Sequence, residues 1–116
     1  MKNHNYHSLI KIKNHALKAI DYIKTIDFKE FMQDTKTLEA CVFNISQIGE
    51  LVNKIDTEIL NKYPNINWQG IKGLRNIIIH NYDGIRYEMI WSILTESLPE
   101  LINNIDLIIK AEESIS

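Results

Sequence analysis

This chain of 116 residues has little of several things: one cysteine, two prolines, four glycines and two arginines. A single cysteine excludes an intramolecular disulfide and a cysteine metal cluster, and it fits a reducing compartment. Cys41 sits among apolar residues at helical spacing, which reads as a small buried thiol rather than a reactive one. Proline and glycine are scarce and apolar residues do not alternate with polar ones, so nothing suggests a strand. No segment approaches the ~20 uninterrupted apolar residues of a membrane span. The N-terminal stretch "MKNHNYHSLIKIKNH" lacks the apolar core of a secretory signal, so the expected location is the cytoplasm. An excess of positive charge is missing too. The formal charge is −2 and the pI about 6, which counts against a non-specific duplex binder but leaves room for a local basic cleft.

What is present suits one folded domain spanning residues 1–116. Hydrophobic residues make up 45% of the chain, enough for a core without metal or disulfide support at this length. Leu9, Ile12, Ala16, Ala19, Ile20 and Ile23 form one stripe, predicting a first helix over about residues 6–26. Asp27 with Glu30 makes a variant capping box that opens a short helix near residues 28–33. Asp34 or Thr35 caps a long third helix, whose stripe runs from Leu38 through Ile59 to about residue 61. A loop surrounds Pro64. Asn67 then caps a helix from Trp68 to about His80, closed by the Asp83-Gly84 turn. The last helix begins near Ile85 and runs past Ile109, with a kink or restart expected at Pro99. Short links between amphipathic helices predict an all-α antiparallel bundle of four main helices.

The chemistry concentrates in "LRNIIIHNYDG", residues 74–84. At about 100° per residue, Asn76 and His80 lie roughly 40° apart on one helix face, so the amide can orient the imidazole. Arg75 and His80 diverge by roughly 140°. They can share a site only if the helix end distorts or a second copy of the chain supplies part of it. A bland role stands beside the functional one. A cation on the last turn of a helix interacts favourably with the free carbonyls by ~0.3–1 kcal/mol, and His80 fits that description. The functional alternative is proton transfer by histidine with a guanidinium fork on phosphate. That pair suits RNA cleavage by the substrate's own 2′-hydroxyl.

"RNIIIHNY" resembles the R-x4-H-x-Y signature of HEPN-domain ribonucleases, in the HepT-like branch that supplies toxins of toxin–antitoxin pairs. "FMQDTKTLEACVFNISQIGE", "KYPNINWQGIKGLRNIIIHNYDGI" and "WSILTESLPEL" resemble successive segments of that family, covering roughly residues 6–110. The resemblance implies a HEPN-like bundle that homodimerises with two motifs facing across a composite cleft. It implies a metal-independent endoribonuclease, needing no cofactor, in which Arg75 and His80 are catalytic and Asn76 is the polar residue after the arginine. It also implies a partner, a minimal nucleotidyltransferase antitoxin that transfers AMP to Tyr82 and silences the toxin. DNA and membranes are not among the implied partners. The rival reading is a non-catalytic binding partner and AMP-acceptor for the nucleotidyltransferase, in which Tyr82 matters and His80 does not. Under the blandest reading the chain is a structural bundle with neither activity.

Several residues outside the motif carry narrower expectations. Gly49 in the middle of the third helix signals a close helix crossing, because glycine there costs about 1 kcal/mol in helix propensity. Glu50 either holds Arg75 in place or is a solvated carboxylate. Trp68 and Trp91 fit apolar stripes and read as core rather than as base-stacking platforms. His4 and His7 read as surface residues. Lys72 and Arg86 flank the motif, as solvated charges or as contacts to an RNA backbone.

Overall fold

The computed structural model describes the backbone of residues 1–80 and 87–115, and the side chains of residues 1–76 and 87–115. All regular structure among them is helical: α1 (Asn3–Tyr22), α2 (Phe28–Phe31), α3 (Thr35–Val52), α4 (Thr57–Lys62), α5 (Trp68–His80), α6 (Tyr87–Ser92) and α7 (Leu98–Ile115). Helices α1, α3, α5 and the combined α6–α7 unit are the four main elements of the expected bundle. No helix among the described residues is long and apolar enough to cross a membrane.

Helices α1 and α3 form the centre of the fold. Leu9, Ile12 and Ala16 meet Cys41, Ile45 and Ile48 in one cluster of fully buried side chains, because both helices place apolar residues at intervals of three and four. Cross-links between them run in opposite directions along the chain, as an antiparallel pair requires. The Cys41 thiol donates to the Ala19 carbonyl, His15 Nδ1 meets Asn44 Oδ1 at 2.8 Å, and Asn5 binds Asp56. Burial pushes the Cys41 thiol up to about 11, with the Asp34 carboxylate adding to the effect, so it is the inert buried thiol expected. Helix α7 returns along α1. Lys13 pairs with Asp106 at 2.6 Å, and near the other end hydrogen bonds from Lys62 and Tyr63, with a smaller contribution from the Met1 amino group, lower the Glu112 carboxyl.

The predicted third helix to about residue 61 is corrected to two helices. Ile55 and Ile59 do continue the buried stripe, but the backbone leaves α-geometry after Val52. Lys54 and Ile55 donate three residues back, to Leu51 and Val52. Asp56 N–H then donates to the side chain of Asn5 at 2.9 Å. Asn5 is only 2% exposed, and its amide also donates to the Asp56 carboxylate. A buried amide that satisfies both groups of Asp56 offers the chain a better partner than another helical turn. The first helix likewise spans Asn3–Tyr22 rather than about residues 6–26.

The Asp27–Glu30 capping box is present in full on α2, and Asp34 caps α3 through Thr37 N–H. Asn67 caps α5, accepting from Gly70 N–H at 3.0 Å. The break expected at Pro99 appears as five residues of wider π-helical turn, Ile93–Ser97, between α6 and α7. Proline lacks an N–H and its ring crowds the carbonyl four residues back, which strains a regular α-turn there.

Candidate active site

Helix α5 carries the motif, and two anchors flank the segment after it. On one side α5 lies against α3 at Gly49. A Cβ at that glycine would stand 3.2 Å from the Ile71 carbonyl oxygen, 3.2 Å from Arg75 Cβ and 3.3 Å from Arg75 N. The missing side chain therefore permits the close crossing that the sequence predicted. On the other side an aromatic group fixes α6. Phe31, fully buried, meets Tyr87 edge-on with centroids 5.6 Å apart and Trp91 at 5.2 Å, and Phe28 meets Trp91 at 5.7 Å. Trp91 is thus packed against the core, and Trp68 is buried with its indole N–H donating to the Tyr63 carbonyl.

Close to the Gly49 crossing, Glu50 forms an ion pair with Arg75 through the guanidine Nε. Of the two alternatives for Glu50, the structure holds the first contact: its carboxylate is on the arginine. The side chains are 46% exposed for Arg75 and 38% for Glu50. Water screens such a pair, so it stabilises the fold by no more than ~1 kcal/mol. Its consequence is geometric. The pair is made through Nε, and the two terminal nitrogens of a guanidinium are the fork that can meet an oxyanion.

The other motif residues divide by what is described. Asn76 is exposed on α5, one residue beyond Arg75. The α5 backbone remains helical to His80, so the angular relation of that position to Asn76 and Arg75 holds for the backbone. The His80 side chain, Tyr82, the Asp83-Gly84 turn, the start of the last helix near Ile85, and Arg86 lie outside the described residues. Gly73, on the same helix, has nothing among the described residues within 4 Å of a built Cβ.

Two features had no motif to announce them. One is the clamp in which Asp56 binds Asn5 and His4, the latter at 3.0 Å. These hydrogen bonds, His4 first, hold the Asp56 carboxyl below the usual carboxylate range. His4 is exposed as expected, but it is engaged; His7 is exposed. The other is a groove of about 550 Å³ between α4 and the start of α5, lined by Asn61, Asn65, Asn67, Gln69 and Lys72 among others. Among the described residues no three His, Cys, Asp or Glu side chains converge as metal ligands.

Comparison with known proteins identifies the family. A model of the ribonuclease HepT-like family matches residues 12–108. A protein of Methanocaldococcus jannaschii, by name a candidate RNase, is 41% identical over 102 residues, covering 88% of this chain and 84% of its own length. One of Caldanaerobacter subterraneus, named in the same way, is 32% identical over 94 residues, 81% of this chain and 84% of its own. "Probable ribonuclease HepT" of Thermococcus cleftensis is 29% identical over 87 residues, 74% and 79% of the two chains. No solved structure matches the chain significantly. With the family match spanning most of α1 through α7, the chain belongs to the ribonuclease HepT-like family.

Proposed function

We propose that this protein is a metal-independent endoribonuclease toxin that cuts RNA in a cleft shared by two copies of the chain. The observation that carries the proposal is Arg75: a guanidinium paired with Glu50 through Nε, on a side chain 46% exposed, inside an R-x4-H motif of a ribonuclease family. In the proposed reaction the 2′-hydroxyl attacks the adjacent phosphorus and the 5′-oxygen leaves. His80 handles the protons. Arg75 stabilises the charge that builds on the phosphoryl oxygens. Asn76, one turn from His80, orients its ring.

The helix geometry supports the shared cleft. With α5 helical to His80, distortion of the helix end does not bring position 80 round to Arg75. A second copy supplying the missing half would unite the two groups, which is the arrangement proposed. Silencing in this proposal is by transfer of AMP to the motif tyrosine. A minimal nucleotidyltransferase antitoxin joins the Tyr82 hydroxyl to the α-phosphorus of ATP and releases pyrophosphate. The added AMP places negative charge and bulk where the substrate phosphate must sit.

The test is cleavage of single-stranded RNA by the purified protein in EDTA. The expected products end in a 2′,3′-cyclic phosphate or its hydrolysis product, and Arg75→Ala and His80→Ala each abolish cleavage with the fold retained. Variants that cut as well as the parent overturn the assignment. Incubation with the transferase and ATP should add one AMP mass, mapped to Tyr82. An AMP on Tyr82 of a protein that cuts no RNA instead favours the non-catalytic acceptor.

A further inference from the structure

The groove between α4 and the start of α5 is lined by amides and a cation. In a chain with more acids than bases, no described residue lining it is acidic, while Lys72 and four primary amides line it. Its floor is rigid. Ile66 and Trp68 are buried, the Trp68 indole N–H is tied to the Tyr63 carbonyl, and Asn67 is fixed as the α5 cap. That fixes the floor residues and spends the Trp68 N–H internally, so recognition falls to the exposed amides of Asn61, Asn65 and Gln69. Each amide offers both donors and an acceptor, the set needed to meet the edge of an unpaired base. A volume of about 550 Å³ lies within the range of small-ligand sites.

The groove also leads to the candidate active site. On α5, Gln69, Lys72 and Asn76 fall within a sector of roughly 60°, and Lys72 precedes Arg75 by ~4.5 Å and Asn76 by ~6 Å along the axis. None of the described carboxylates pairs with Lys72. We infer that this groove is a subsite for an unpaired ribonucleotide flanking the scissile linkage, with Lys72 on its phosphate and the amides of Asn61, Asn65 and Gln69 on its base. The inference rests on the ribonuclease reading for its place beside the scissile bond, but it is a claim about binding.

Binding is therefore measured apart from cleavage, with uniformly 2′-O-methylated single-stranded oligonucleotides that the 2′-hydroxyl route cannot cut. Their affinity for the full chain is followed by fluorescence anisotropy over a series of KCl concentrations. Lys72→Gln should weaken binding several-fold and reduce the slope of log K against log salt by about 0.7, the value for one phosphate contact on a single strand. Lys72→Arg should restore the slope. Asn65→Ala and Gln69→Ala should weaken binding at least about threefold without changing the slope. The same sequence as a duplex should bind less well. On cleavable RNA these variants should raise KM and leave kcat unchanged. An unaltered salt slope in Lys72→Gln, equal binding of the duplex, or no binding to the parent protein overturns the subsite. So does loss of transferase binding in these variants with RNA binding intact. If the binding results hold and the parent cuts no RNA, the nuclease reading and the place beside a scissile bond fail, and the nucleotide-binding groove stands.

Discussion

Helix α3 has two main partners, α1 and α5, and meets them by different means. Against α1 it forms an interface of fully buried side chains, with Asn5 and Asn44 also buried and hydrogen-bonded. Against α5 it makes one close crossing at Gly49, beside an ion pair whose side chains are both more than a third exposed. The first interface removes apolar surface from water and carries stability. The second packs Ile71 and Leu74 against the core and also fixes where a guanidinium emerges. The two contacts of this one helix thus carry different emphases, and substitutions should separate them.

The largest effect on stability should come from the α1 side. Ile45→Ala empties a fully buried position and should cost about 2–5 kcal/mol in urea unfolding, with the kcat of the folded protein unchanged. Gly49→Val should affect both properties. Its side chain must push against α5 backbone, which should cost about 1–3 kcal/mol, and displacing Arg75 should lower kcat. Glu50→Gln should show the opposite balance to Ile45→Ala: a stability change within ~1 kcal/mol, but a kcat lower by roughly ten- to a hundredfold through a loosened arginine. Equal losses of stability and rate in Ile45→Ala and Glu50→Gln would dissolve the comparison.

The smallest effect concerns pH and sharpens the α1 side. His4 and Asn5 hold the Asp56 carboxyl below its ordinary value. A lowered folded-state value means that the clamp's stabilisation is present above the unfolded carboxylate pKa, ~3.9. It is lost as pH falls through the lower folded-state value. Asn5→Ala should weaken that acid-side dependence along with overall stability, as followed by thermal unfolding over a pH series.

What the sequence revealed was mostly local. Stripes of buried residues, the Asp27–Glu30 box, the Asn67 cap and the glycine crossing each depend on neighbours within a turn or on the absence of a side chain. The split after Val52 was not legible, because Ile55 and Ile59 extend the stripe while the competing partner, Asn5, is separated from Asp56 by 51 positions. The groove was hidden for a related reason. Its amides come from α4, the Pro64 loop and α5, and no periodicity links them. Glu50 lay between the two cases: its proximity to Arg75 depends on a helix crossing that the glycine hinted at but did not place.

The central claim, a cleft shared by two chains, is tested most directly by mixing subunits. Arg75→Ala and His80→Ala proteins, each inactive alone, are unfolded together, refolded together and assayed on RNA. If arginine and histidine come from different chains, the mixed dimer contains one site with both groups, and cleavage should reappear. Cleavage absent from a mixture in which mixed dimers have been verified would contradict the shared cleft and place both groups within one chain.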